Sequence, residues 1–177
     1  MAYRLIANTR LLLGIIALIG ACNVAIGTLA VVVPLVMDAE GDSKFLIGNS
    51  TMVGQVGVLI AGSSVLWLRA HVRSRVLMMV ALLALVLCFV GFAFSAPLYA
   101  WFGLRFISGA AIATIFTTSE TWLQMNTPDA LRGRVMGTYM TSQTLTFALG
   151  PFLIRYIGFQ GPLPWLFGAA ALAFSLL

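Results

Sequence analysis

The segment WFGLRFISGAAIATIFTTSETWLQMNTPDALRGRVMG, from Trp101 to Gly137, places two charged side chains of opposite sign inside an apolar run. Arg105 and Glu120 are these two residues, and a polar stretch from 126 to 134 follows them. A charged side chain at the centre of a bilayer costs roughly 2.5–3.5 kcal/mol on insertion scales, so such residues usually face a bundle interior or a water-filled cavity. Arg105 and Glu120 are therefore the first candidates for function.

The composition of the whole chain indicates a membrane protein. Hydrophobic residues make up 61% of it and charged residues only 8%, whereas an ordinary globular domain is about a quarter charged. A chain of 177 residues has room for about six spans, since each span needs about 20 apolar residues. We therefore predict an all-α protein whose partner is the lipid bilayer.

Several function classes lack the residues they need. The net charge of +5 suits arginines in cytoplasmic loops and not a nucleic-acid interface, because no basic aromatic face lies outside the apolar segments. Cys22 and Cys88 have no CxxC motif and no neighbouring His, so we predict no metal site, no disulfide and no cofactor. His71, the one histidine, falls in a charged segment, and the GxSG, HExxH and nucleotide-binding motifs are missing from the sequence. The chain is therefore predicted not to be an enzyme.

Apolar runs divide the chain into six predicted helices of a single bundle, at 11–37, 45–68, 76–94, 98–125, 135–157 and 165–177. The first follows two arginines, as in a signal peptide, but its apolar run is longer than a signal h-region of about 7–15 residues. The sixth has thirteen residues, which is too short to cross a bilayer. The sequence is therefore expected to be a fragment that stops inside a helix.

Small residues recur on one face of two predicted helices, which predicts close approach by a neighbouring helix. These stripes are Gly54, Gly57, Ala61 and Ser64 in the second helix, and Gly137, Thr141, Thr144 and Ala148 in the fifth. Arg105 and Glu120 are separated by roughly 22 Å along the helix axis and about 60° around it. Both can face one cavity, but they cannot pair with each other.

The arginines between the predicted helices set the orientation. With a cytoplasmic N-terminus, most basic residues lie inside, and only Lys44 and Arg155 lie outside or near an outer helix end. The inside set is Arg4, Arg10, Arg69, Arg73, Arg75, Arg132 and Arg134. This bias predicts that the N-terminus is cytoplasmic and that Glu120 lies near the cytoplasmic mouth.

The residues from 119 to 140 resemble a known family. Ser119–Leu123 (SETWL) and Arg132–Met140 (RGRVMGTYM) look like the ESWL…RGRV…YM signature of the YcaD-like bacterial branch of the major facilitator superfamily. Arg105–Gly109 resembles the RxxxG motif of the family's fourth helix, and His71–Arg73 resembles the GHIR end of its loop after helix two. Two departures are Ala70, where that loop usually has Gly, and Thr146, where the antiporter motif has Gly.

This resemblance implies the N-terminal six-helix half of the family fold, a 3+3 inverted repeat whose sixth helix is incomplete. It implies a secondary active transporter that moves a small solute by alternating access, coupled to an ion with protons as the candidate. It also implies a multi-pass protein of the bacterial inner membrane whose further partner is the missing C-terminal half. The alternative is a non-transporting assembly or sensor protein built on the same half-bundle.

Within that family expectation, the polar residues of the spans are candidates for the transport path. The predicted cavity residues are Asn23, Gln55, Arg105, Glu120 and Gln143. Asn23 bonds to a neighbouring helix or faces the cavity, and the sequence leaves both interpretations open. Arg105 is expected to hold an anionic or polar group of the substrate, or a carboxylate of the missing half. Glu120 is expected either to carry a proton or to join a cytoplasmic gate with Arg73, Arg132 and Arg134.

Overall fold

The computed structural model describes residues 2–94 and 98–174, with side chains described at residue 14, residues 16–94 and residues 99–173. Within these ranges the chain forms six α-helices and no strand, which confirms the predicted all-α fold. The helices are α1 (Ala2–Ala39), α2 (Lys44–His71), α3 (Ser74–Ala93), α4 (Leu98–Asn126), α5 (Asp129–Ile157) and α6 (Leu163–Phe174). The turn predicted at 95–97, the end of the predicted sixth helix at 175–177, and the side chains of Arg4 and Arg10 lie outside the described residues.

The start of α5 differs from the predicted one, because the helix begins at Asp129 and not at residue 135. The polar segment that reads as a loop therefore forms the first turns of this helix. Pro128 precedes it with a φ of −56°, a value that proline fixes and that suits a helix start. Asp129 complements the positive end of the helix dipole and pairs with Arg132 at 2.6 Å. Hydropathy alone does not register these stabilising charges.

Within the part of the chain that the structure describes, four helices are long and apolar enough to cross a membrane, which supports a multi-pass membrane protein. These segments are Ile16–Ala39, Lys44–His71, Ser74–Ala93 and Tyr99–Asn126. The apolar part of α6, Leu163–Ala173, is shorter. At 29 residues, α5 is long enough to span, at 1.5 Å per residue, but its sequence is more polar than that of the other four.

The helices pack as two interlocked sets of three. The first helix of each set packs on the second and third helices of the other set: α1 on α5 and α6, and α4 on α2 and α3. The third helices, α3 and α6, also pack on each other. This exchange of partners between α1–α3 and α4–α6 agrees with the three-plus-three build of secondary transporters.

Glycines bring α2 and α4 into backbone contact. A Cβ atom at Gly57 would collide with the carbonyl oxygen of Phe106 and lie 3.1 Å from the amide nitrogen of Ala110. From the other side, a Cβ atom at Gly109 would collide with the carbonyl oxygen of Gly54. The predicted close approach at Gly54 and Gly57 is thereby confirmed.

The crossing of α1 and α5 repeats this pattern of contacts. A Cβ atom at Gly150 would lie 2.6 Å from the carbonyl oxygen of Val24 and 2.5 Å from the amide nitrogen of Thr28. A Cβ atom at Gly27 would collide with the carbonyl oxygen of Phe147. Each crossing therefore sets a glycine against a carbonyl oxygen and the amide nitrogen four residues later, as expected for two related halves.

Within the described residues, no helix approaches the small-residue stripe of α5, and the close approach predicted there stays a prediction. Gly137, Thr141, Thr144 and Ala148 are exposed, and a Cβ atom at Gly137 would meet nothing within 4 Å. The face of α5 that contacts α1 is the one that carries Gly150. Small residues indicate that a close approach is sterically allowed. In this structure α1 contacts a different face of α5.

An aromatic cluster joins α3, α4 and α6. Phe92 stacks on Trp165 at a centroid distance of 5.0 Å, and Trp101 meets Phe92 edge-on at 5.2 Å. All three rings are 5% exposed or less. On its opposite face, α3 exposes apolar side chains such as Val80 and Leu83, which suits a helix that borders lipid.

Candidate functional site

A cavity of about 320 Å³ lies among α1, α2, α4 and α5, and Arg105 forms part of its wall. We refer to it as the Arg105 cavity. Its lining combines a few polar side chains with aliphatic and aromatic ones: Ile26, Leu29, Ala30, Thr51, Gly54, Gln55, Val58, Arg105, Ser108, Gly109, Ile112 and Phe147. Thr51 and Gln55 are exposed, so the cavity communicates with the outside of the described bundle.

The guanidinium of Arg105 is buried with few partners. Its side chain is 8% exposed. Its Nη2 donates to the Thr51 hydroxyl at a long 3.4 Å, and its buried Nε has no hydrogen-bond partner. The ion pairs of the described residues are Lys44 with Asp38 and Asp129 with Arg132, so Arg105 has no described counter-ion. Burying a charge without a counter-ion is costly in free energy.

Backbone geometry positions Arg105. The α2–α4 crossing leaves Gly54 beside it, and a Cβ atom at Gly54 would lie 3.9 Å from Nε and 3.5 Å from the Arg105 carbonyl oxygen. The Ser108 hydroxyl donates to that same carbonyl oxygen at 2.9 Å. The missing side chain at position 54 therefore lets the α2 backbone lie close to the buried Nε atom of the guanidinium.

A second polar cluster lies between α4 and α5. The half-buried carboxyl group of Glu120 lies beside the side chains of Gln143 and Tyr139. The hydroxyl groups of Tyr139 and Ser119 are 3.3 Å apart and share a hydrogen bond. The Nε2 atom of Gln143 is buried and makes no hydrogen bond of normal geometry, although Glu120 is adjacent to it. This cluster contains hydrogen-bond donors and acceptors, and no cation among the described residues.

Asn23 occupies the position in α1 that corresponds to Arg105 in α4. It precedes Gly27 by four residues, as Arg105 precedes Gly109, and the two glycines take equivalent places at their crossings. The Asn23 side chain is 5% exposed, and its Nδ2 donates to the carbonyl oxygen of Ile19 on its own helix at 2.9 Å. The structure thus gives Asn23 an intrahelical bond and leaves it outside the residues that line the cavity.

The five predicted cavity residues therefore separate into three places. Gln55 and Arg105 share the cavity, Glu120 and Gln143 share the second cluster, and Asn23 stands apart. The helical angle between Arg105 and Glu120 allows one common cavity, but their separation of roughly 22 Å along the axis exceeds what a cavity of this size covers.

The predicted gate arginines do not meet Glu120 in this conformation. Arg132 pairs with Asp129, and Arg73 is an exposed residue at the start of α3. Arg134 lines a groove along α5 together with Gly137, Thr138, Thr141, Ser142, Leu145 and Thr146. A gate that joins Glu120 to these arginines remains a prediction for another conformation.

Sequence reasoning missed Thr51 and Phe147. Thr51 precedes Gly54 by three residues, so it lies on the same helical face as the small-residue stripe, and that spacing is the signal that could have found it. Phe147 carries no such signal, because its place on the cavity wall follows from the α1–α5 crossing. The described residues contain no cluster of His, Cys, Asp and Glu suited to a metal ion, and Cys22 and Cys88 are buried thiols at separate sites.

Comparison with known proteins supplies a family. The model of the Major Facilitator Superfamily matches residues 5–177. YfkF of Bacillus subtilis, described as an uncharacterized MFS-type transporter, is 24% identical over 166 residues, which are 92% of this chain and 42% of YfkF. The chain thus spans less than half the length of that relative. No solved structure matches, and these similarities do not distinguish the YcaD-like branch.

Proposed function

Since the chain belongs to the Major Facilitator Superfamily, we propose that it forms the N-terminal half of a secondary active transporter that moves a small solute through the Arg105 cavity by alternating access. The observation that carries this proposal is the buried, unpaired guanidinium in a cavity among four helices. Charged residues inside membrane bundles are rare and mark substrate or ion pathways. Gln55 and Thr51, which are exposed on the same wall, offer further polar contacts along the path.

The position of the edge helices supports alternating access. The main neighbour of α2 is α4 and that of α5 is α1, so α2 and α5 lie at the two ends of the packed arrangement. Both border the cavity, through Gln55 on one side and Phe147 on the other. A rocking motion of this half against a second half would therefore expose or cover the cavity without breaking the two glycine crossings, which suits the rigid-body motion of such transporters.

Glu120 is the group that we assign to ion coupling, with the proton as the ion. A neutral carboxylic acid has one O–H donor and keeps acceptor capacity, which fits its amide and hydroxyl neighbours, Gln143 and Tyr139. The second role is a latch in which ionised Glu120 pairs with Arg73, Arg132 or Arg134 in another conformation. The two roles differ in whether transport depends on pH.

The arginines near the helix connections support an orientation of the chain in the membrane. Arginines cluster where α2 meets α3 and where α4 meets α5, at Arg69, Arg73, Arg75, Arg132 and Arg134. We propose that this end is cytoplasmic, in agreement with the positive-inside rule. The N-terminus then lies on the same side, in a bacterial inner membrane.

The test uses proteoliposomes that contain the complete transporter and a pH-sensitive dye, to which a panel of organic anions, cations and neutral solutes is added. Arg105→Ala should abolish solute-driven flux and leave membrane insertion intact, whereas the exposed Arg155→Gln should transport normally. Unchanged flux in Arg105→Ala would contradict the assigned path. For Glu120→Gln, loss of pH dependence supports the proton carrier, and altered stability with coupling intact supports the latch.

A further inference from the structure

We propose that the end of α3 that carries Arg73 and Arg75 binds the headgroup of an anionic phospholipid, whose acyl chain lies along the outer face of the same helix. This face follows a line of residues from Arg75 at a spacing of four, through Met79, Leu83 and Leu87, and we call these three apolar residues the α3 ridge. The inference goes beyond the proposed function and does not depend on it, because it concerns the outer surface of the bundle and not the solute path.

The two arginines are exposed cations without a described counter-ion. Arg73 directly precedes α3 and Arg75 is its second residue, and both side chains are exposed. The ion pairs of the described residues join other cations, Lys44 and Arg132, to carboxylates. Residues 69–75 contain three arginines and no acidic residue. Since a guanidinium fits the oxygens of a phosphate group, this end of α3 suits a phosphate anion.

The α3 ridge gives an acyl chain a continuous apolar surface that begins next to Arg75. Met79, Leu83 and Leu87 are 52–59% exposed. Leu85, two residues beyond Leu83 and therefore about 200° around the helix, is fully buried. The ridge thus faces away from the core of the bundle. A free phosphate ion would use the arginines alone, whereas a phospholipid would use the arginines and the ridge together.

The composition of α3 favours lipid over a second protein surface at this ridge. From residue 76 to residue 93 the helix has no charged, hydroxyl or amide side chain, which suits contact with lipid. The helix also supplies no residue to the lining of the Arg105 cavity, whose edge helices are α2 and α5. The outer face of α3 is therefore placed to contact the bilayer.

The length of α3 places the arginines at the level of the lipid phosphates. Its 20 residues extend about 30 Å, which is the thickness of the hydrocarbon core. Trp67, at the end of α2 that leads to α3, is 66% exposed, and exposed tryptophans are typical of the membrane interface. Side chains on a helix tilt toward its N-terminus, so the Arg75 guanidinium extends from the ridge toward the headgroups.

The test is photo-crosslinking of the complete protein in nanodiscs that contain equal amounts of phosphatidylglycerol and phosphatidylcholine with identical acyl chains. The photoreactive residue p-benzoylphenylalanine replaces Met79 in one variant and Leu87 in another, and mass spectrometry measures which lipid each probe captures. Both positions lie on the α3 ridge with similar exposure, 55% and 59%. Along the axis they are about 6 Å and 18 Å from Arg75, so the second lies beyond the midplane of the hydrocarbon core.

We expect the probe at position 79 to capture phosphatidylglycerol about fivefold to thirtyfold over phosphatidylcholine, because each arginine near anionic lipid contributes about fivefold. The probe at position 87 should capture both lipids equally. Since both leaflets have the same composition, the orientation of the protein in the nanodisc does not affect either result.

Three variants of the protein with the probe at position 79 identify the charges. Arg75→Gln should reduce the preference for phosphatidylglycerol, and Arg73→Gln combined with Arg75→Gln should abolish it. Arg132→Gln also removes one positive charge near the proposed cytoplasmic side, but this charge is already paired with Asp129, so the preference should remain.

Several outcomes would overturn the assignment. These are equal capture of the two lipids at position 79, the same preference at position 87, and a preference that survives the double substitution. Failure to capture any lipid at position 79 would show that protein covers the ridge and would overturn it too. Replacing chloride with inorganic phosphate at equal ionic strength should leave the preference unchanged, and its loss would indicate a site for free phosphate instead of a lipid. None of these outcomes decides whether the protein transports a solute.

Discussion

Gly150→Ala should push α1 and α5 apart. The new Cβ atom would lie 2.5 Å from the amide nitrogen of Thr28, 2.6 Å from the carbonyl oxygen of Val24 and 2.7 Å from the carbonyl carbon of Gly27. Ordinary Cβ contacts begin at about 3.4 Å, so the backbones must separate by roughly 0.7–0.9 Å. All three neighbours are backbone atoms, and none of them can rotate away as a side chain would.

The expected cost includes a local one, because Gly150 precedes Pro151 in the helix, where a Cβ atom crowds the proline ring. Two further effects oppose each other. Overpacking of this kind costs about 1–3 kcal/mol, and replacing a helical glycine with alanine gains roughly 0.5–1 kcal/mol. Gly133→Ala lies on the same helix, and its new Cβ atom has nothing within 4 Å. It should therefore gain helix stability without the cost of overpacking. The two variants should therefore differ by about 1–3 kcal/mol in the free energy of unfolding.

The assay is thermal melting of both variants and the wild type, followed by the loss of the monodisperse peak in size-exclusion chromatography. Gly133→Ala should melt at or slightly above the wild type, and Gly150→Ala clearly below Gly133→Ala. Equal melting temperatures for the two variants would refute the backbone contact at this crossing. The internal repeat would then lose one of its two matching contacts.

Three further predictions concern the packed interior and use the same melting assay or chemical labelling. Tyr139→Phe removes the hydrogen bond to the serine hydroxyl on α4 and should cost about 0.5–1.5 kcal/mol, whereas Tyr156→Phe, whose side chain is 71% exposed, should melt as the wild type does. Trp165→Ala removes the ring at the centre of the aromatic cluster and should cost about 3–5 kcal/mol; a loss below 1 kcal/mol would contradict its burial. Cys22 and Cys88, which are 0% and 2% exposed, should resist N-ethylmaleimide in the folded protein and react in SDS, and mass spectrometry would detect early labelling.

Most of the fold can be predicted from the sequence, because hydropathy and helical spacing are local signals. Apolar runs predict where helices lie, and Gly54 and Gly57 at a spacing of three predict a surface that another helix can approach. Neither the apolar runs nor the glycine spacing identifies which helix packs on that surface. The α5 stripe shows this limit, since Gly137 lies on an exposed face while Gly150 makes the contact. The early start of α5 is not predicted by hydropathy for a different reason. Charged residues stabilise this helix end, whereas their low hydropathy indicates a loop.

The site was predictable only in part, since its members come from different helices. Arg105 is conspicuous as a charge inside an apolar run, but its partner Thr51 is 54 residues away in the chain and only the α2–α4 crossing joins them. The same holds for Glu120 and its neighbours on α5, Tyr139 and Gln143. The helical angle of a residue predicts the direction in which its side chain points. Which residues of other helices lie at the same height depends on how the helices pack.

The internal repeat explains why one crossing, and not both, carries the cavity. The two crossings share a backbone pattern, so a difference in chemistry between them must come from side chains. Arg105 on α4 has Asn23 as its counterpart on α1, and the close approach of Gly54 on α2 has its counterpart at Phe147 on α5. At the first crossing the charged Arg105 lies against Gly54, which has no side chain, and its buried Nε has no hydrogen-bond partner. At the second crossing, Asn23 bonds to its own helix, and Phe147, which is 40% exposed, takes the place of Gly54. The same backbone pattern therefore carries a buried charge at one crossing and a neutral side chain bonded to its own helix at the other.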